Sequence, residues 1–101
     1  MYLFNETVGI DASAEQEWLG WVKAVYIPSV LNTQLFTGHR IYKVLHESED
    51  GSISYSIQFF SNSLENVVQF LEVFAPLLVE QQRQKFSHRL VAFRTLLEEM
   101  K

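Results

Sequence analysis

The chain has 101 residues, no cysteine, eight Phe, four Tyr and two Trp, and twelve acidic against eight basic side chains for a net charge of −4. That length suits one domain over residues 1–101, burying roughly two-thirds of its unfolded surface without staples, and the missing cysteines exclude a disulfide framework and fit a reducing, cytoplasmic setting. The basic residues form no stripe along which a phosphate backbone could run, which argues against nucleic acid as a partner; the first basic residue is Lys23 and no long apolar run exists, which argues against a signal peptide or membrane span.

In chain order, Tyr2 to Ile10 reads as a strand with Phe4, Val8 and Ile10 on one face and Asn5, Thr7 and Gly9 on the other. Ser13 followed by Gln16 has the form of a capping box, with Glu15 and Glu17 in the first helical turn. Trp18, Trp21, Val22 and Val25 give the helix its apolar stripe, widened by Leu19 and Tyr26. Pro28 should push Ile27 out of the helical region and stop or kink the helix near Tyr26, with a short second turn through about Leu31. Leu35 to Glu47 reads as a second strand. Glu49-Asp50-Gly51-Ser52 reads as a hairpin turn into Ile53 to Phe60, where apolar and polar side chains alternate. With Glu49 opposite Ser52, Tyr42 faces Phe59 and Val44 faces Ile57, so both join the apolar face while His39 and Lys43 join the polar one; a turn one residue longer reverses this.

Ser61 to Ser63 offers caps for a second helix over about 63–85. Its apolar face is drawn from Leu64, Val67, Val68, Leu71, Phe74, Ala75 and Leu78, extended by Phe70, Val73 and Leu77, with a kink at Pro76. Leu90 to Leu97 is the fourth strand. The order strand, helix, strand, strand, helix, strand implies two β-α-β halves, and right-handed crossovers place them in one antiparallel sheet of order 4-1-3-2 with both helices on one side. The fold class is therefore α+β, ferredoxin-like, with one sheet face left bare. The uncharged polar and aromatic character of that face, and the high aromatic content, suit burial against a second copy.

The strings M-Y-L-F-N-E-T-V, W-x-x-W-x-x-x-x-x-I-P from Trp18 to Pro28, F-A-P-L at Phe74 to Leu77 and V-A-F-R-T-L-L at Val91 to Leu97 resemble a bacterial family of unknown function, about a hundred residues long, that is similar to the dimeric α/β barrel superfamily. The resemblance covers nearly the whole chain. It implies a homodimer whose two sheets face each other in a barrel, and it implies no established activity. Some relatives carry His at the positions of Tyr26 and Phe74. Some barrel proteins degrade haem or oxidise aromatic substrates using a strand-1 Asn, which Asn5 resembles, but the axial His is replaced at Phe74 and the third strand has no Trp.

No residue spacing points to a metal or cofactor: His39, His46 and His88 lack ligand pairing, and no H-E-x-x-H, glycine-rich phosphate loop or G-x-S-x-G elbow occurs. The candidate ligand-binding residues are Asn5, Thr7, Ser54, Ser56, Gln58 and Arg94, all assigned to the bare face, with Val91 and Phe93 assigned to the helices. No catalytic residue is identified. Glu6 falls by alternation towards the helices, where a carboxylate needs a basic partner or a role. The function expected from these residues is a small cytosolic homodimer acting as an interaction or structural module. The alternative is a protein that binds an anionic or aromatic small molecule, or a cofactor-independent enzyme, using the barrel interior.

Overall fold

Strand β1 (Tyr2–Ile10) lies at the centre of the architecture, paired antiparallel on one side with β3 (Ile53–Ser61) and on the other with β4 (Leu90–Glu98), while β2 (Gly38–Lys43) pairs with the far side of β3. The sheet order β2-β3-β1-β4 is the expected order read from the other edge, and within the chain the sheet is open rather than closed. The computed structural model describes residues 1–45 and 50–101. His46, Glu47 and Glu49, which carry the expected end of the second strand and the start of its turn, lie outside the described residues. Among the described residues no helix is long and apolar enough to cross a membrane.

The first helical run comprises α1 (Glu15–Trp21), a π-helical turn (Val22–Tyr26) and α2 (Ile27–Leu31). Its start differs from expectation. Ser13 does not cap it; Asp11 Oδ1 accepts from the Ser13 N–H at 2.9 Å and organises a short 3-10 turn (Ala12–Ala14) before α1. Nor does Pro28 stop it. Ile27 keeps helical angles, and its N–H reaches back five residues to the Val22 carbonyl, so the turn widens instead of breaking. A proline ring inside a helix clashes with the carbonyl four residues earlier, and a wider turn is one way to relieve that clash. The second run repeats the device: α3 (Leu64–Gln69), a π-helical turn (Phe70–Phe74) and α4 (Ala75–Phe86), with the Ala75 N–H donating to the Phe70 carbonyl just before Pro76. Ser63 caps α3 as expected, its Oγ accepting from the Asn66 N–H at 3.2 Å.

Both helices cover one side of the sheet. The core between them holds Phe4, Val8, Ile10, Trp18, Val22, Tyr26, Phe59, Val67, Phe70, Leu78 and Phe86. Phe36, in the connection before β2, stacks among Phe4, Phe59 and Phe70. The helical stripes are narrower than the sequence suggested: Val25, Leu64, Val68, Val73 and Leu77 are exposed.

The β2–β3 register differs from the expected one by an odd number of residues. Ile41 faces Ile57, Tyr42 faces Ser56 and Lys43 faces Tyr55, so every β2 side chain changes face. His39 and Lys43 lie on the helix side, where the His39 ring is 6.4 Å from that of Phe59; Tyr42 and Arg40 lie on the bare side. The connection is longer than a tight hairpin, with the Val44 N–H still donating to the Ser54 carbonyl and Gly51 taking a φ of 77° that favours glycine.

Candidate functional site

Two groups of polar residues stand out, one on each face of the sheet. On the bare face the β1–β3 register sets Asn5 opposite Gln58, Thr7 opposite Ser56 and Gly9 opposite Ser54. Four of these side chains form one hydrogen-bonded chain. Gln58 Nε2 donates to Ser56 Oγ (3.3 Å), Ser56 Oγ to Asn5 Oδ1 (2.6 Å), and Asn5 Nδ2 to Thr7 Oγ1 (3.0 Å). The stripe is bordered by apolar side chains of the edge strand β4, where Val91 is 74 % and Phe93 62 % exposed and Leu97 is also open. On the other border Arg40 lies over the Phe60 ring, 5.6 Å from its centre.

Arg94 does not join this group, which corrects the sequence assignment. It sits opposite Glu6 in the β1–β4 pairing and therefore shares the helix face, while Val91 and Phe93 take the bare face. The reason is the register. Glu6 is locked inward between Phe4 and Val8, and the cross-strand position that can supply a cation to it is Arg94.

The second group is built around Glu6, which has no solvent exposure. Arg94 Nη2 lies 2.7 Å from Glu6 Oε2, yet among the described residues neither carboxylate oxygen is met by a donor in hydrogen-bonding alignment. The Tyr26 hydroxyl and the Gln82 amide approach the same carboxyl from the two helices. Burial pushes the Glu6 carboxyl above its ordinary value, against the opposing charge of Arg94 and the polar approach of Gln82 and Tyr26. Burial, with the Glu6 charge beside it, also raises the Tyr26 phenol, so that hydroxyl stays a donor at neutral pH. Gln82 is held in turn by Trp18, whose Nε1–H donates to Gln82 Oε1 at 3.1 Å. The cluster thus links β1, β4 and both helical runs. Tyr26, buried at the end of the π turn, lies on the same inward stripe as Trp18 and Val22.

At the other end of α1, Glu15 Oε2 accepts from the Tyr55 hydroxyl (2.6 Å) and pairs with Lys43 Nζ at 3.2 Å. The Tyr55 hydrogen bond, then Lys43, holds the Glu15 carboxyl below its usual range, while desolvation and Glu15 push the Tyr55 phenol up to about 12. Among the described residues no group of three His, Cys, Asp or Glu side chains converges as a metal site. The sequence signal for the buried cluster was Glu6 itself, an acidic residue at an inward strand position. What it did not give was the pairing of Glu6 with Arg94, or the reach of Tyr26 and Gln82.

Comparison with solved structures shows the fold. HapK from Hahella chejuensis superposes over 99 % of this chain and 93 % of its own with a TM-score of 0.71 at 11 % identity. An ethyl tert-butyl ether d (EthD) family protein from Bacillus halodurans matches with a TM-score of 0.66 at 12 % identity, covering 99 % of this chain and all of its own. A dimeric ferredoxin-like protein from an uncultured marine organism matches with a TM-score of 0.65 at 16 % identity, covering 100 % and 98 % of the two chains. No curated protein sequence matches. These neighbours carry the same ferredoxin-like arrangement, and residues 1–100 match the family model described as "Domain of unknown function (DUF4286)", so the chain belongs to that family.

Proposed function

We propose that the protein works as a homodimeric interaction module, two copies packing their bare sheet faces together into a barrel and presenting their helices outward. The observation that carries this reading is the exposed apolar margin of β4, Val91, Phe93 and Leu97, beside a polar stripe whose members already satisfy one another. Such a surface loses little on being dried. Area supports it too: three strands of nine residues and one of six, about 4.8 Å apart, present roughly 500 Å² per copy. Two copies then approach the total of about 1,000 Å² that a specific interface needs. The fold neighbour described as a dimeric ferredoxin-like protein supports the same reading.

The outward helix surface offers a place for a further protein. Leu64 and Val68 are exposed there and, with Glu65, Gln69 and Glu72, line an open groove of about 500 Å³. A ligand in the barrel interior is the weaker reading, because Asn5, Thr7, Ser56 and Gln58 spend much of their bonding capacity on each other. Native mass spectrometry of the purified protein tests both. The proposal expects a dimer mass with no added small molecule; a monomer, or a dimer carrying a stoichiometric ligand that Asn5→Ala removes, would reject it.

A further inference from the structure

On the helix side of the sheet, β1 and β4 differ in cover. Phe4 and Glu6 are at most 1 % exposed, whereas their β4 partners are open: Leu96 is 43 % exposed and the Arg94 side chain 29 %. The helices cover β1 and leave a shelf along the edge strand, floored by Ala92, Arg94 and Leu96.

At the inner end of the shelf lies an unsettled ion pair. Arg94 has five N–H donors in a planar fork, and its Nη2 lies 2.7 Å from Glu6 Oε2. Glu6 is fully buried with neither oxygen met by an aligned donor. A partly exposed guanidinium that pairs with one carboxylate and shares its strand face with the open Leu96 has fork donors to offer a second carboxylate.

We propose that this shelf binds a small monocarboxylate with an apolar tail, its carboxylate held by the outward edge of the Arg94 guanidinium and its tail lying over Leu96 and Ala92. Glu98, next on the same face of β4, adds a negative charge that disfavours a dianion. The site lies on the opposite side of the sheet from the dimer face, so neither reading depends on the other.

The test is titration of the full chain with benzoate at neutral pH, followed by amide chemical shifts, with inorganic phosphate titrated in parallel. Benzoate is expected to shift β4 amides saturably in the wild type. Arg94→Lys, which keeps the charge and loses the fork, should weaken binding about tenfold, and Leu96→Ser should weaken it several-fold. Glu6→Gln removes the competing charge and should tighten it. Should Glu6→Gln fail to fold, Leu96→Ser and Arg94→Lys carry the test, since both positions are partly exposed. Absence of saturable benzoate binding in the wild type and in every folded variant would overturn the proposal. So would equal benzoate affinity in the wild type and Arg94→Lys, or phosphate binding as tightly as benzoate.

Discussion

Arg94 on the edge strand and Glu6 on its neighbour stand directly opposite each other, the Nη2 of one 2.7 Å from the Oε2 of the other, across a boundary where the first is partly open to water and the second has no exposure. Removing one partner of a buried pair costs far more than the pair contributes, because it strands a charge. Arg94→Ala should therefore destabilise the fold by roughly 2–3 kcal/mol at neutral pH, below the range for a fully buried pair since water already reaches the guanidinium. Near pH 4 the loss should be smaller, as a protonated Glu6 no longer needs the cation. Urea melts at both pH values check this; an equal loss at the two would mean that Arg94 contributes packing alone.

Glu6 also sets a pH dependence of its own. Its folded value lies above the ordinary 4.5 because burial disfavours the carboxylate more than Arg94, Gln82 and Tyr26 favour it. The folded state then holds a proton that the unfolded chain has released, so this contribution is fully present below the unfolded value and is lost as pH rises through the folded one. The carboxyls of Asp11, Glu15 and Glu80 are shifted downwards and act in the opposite sense. Comparison of wild type with Glu6→Gln isolates the single group. Thermal melts should show the wild type losing ground to the variant as pH rises above the ordinary carboxyl value and through the raised folded one. The wild type gaining ground as pH rises would contradict the assignment.

The indole of Trp18 is the one link that holds the Gln82 carbonyl oxygen among the described hydrogen bonds. Trp18→Phe keeps most of the ring and deletes the donor, leaving a buried amide oxygen unpaired. The expected cost is about 1–3 kcal/mol from the stranded acceptor, with loss of packing volume added to it. Equilibrium denaturation measures it, and Trp18→Phe combined with Gln82→Leu should recover part of the loss if the hydrogen bond is the cause.

Much of this arrangement was legible in the sequence where one periodicity dominates. The alternation in Tyr2 to Ile10 and Ile53 to Ser61 places both central strands and their faces, because each is apolar on one side and polar on the other. The fourth strand has bulk on both sides: Val91, Phe93 and Leu97 alternate with Ala92, Arg94 and Leu96, so side-chain size gives no phase. The demand of Glu6 for a cation would have settled it. The second strand failed for a different reason, since its register hangs on loop length and an odd change in register moves Tyr42 and His39 to opposite faces. Each proline marked a disturbed turn, after which the helix runs on to Leu31 and Phe86; the form of the disturbance, the widened turns Val22–Tyr26 and Phe70–Phe74, was not legible from the prolines alone. Tyr26 was already placed on the inward stripe; what the sequence did not give was that its hydroxyl and the Gln82 amide reach the Glu6 carboxyl.

Joining of two copies through the bare sheet face is open to sedimentation velocity of the wild type beside Phe93→Asp. Phe93 is 62 % exposed in the single chain, so an aspartate there costs the fold little while placing a charge in the apolar margin that the proposed interface buries. The account predicts a wild type that sediments as a dimer at micromolar concentration and a Phe93→Asp variant that sediments as a folded monomer. A monomeric wild type, or a variant that remains as dimeric as the wild type, would contradict it.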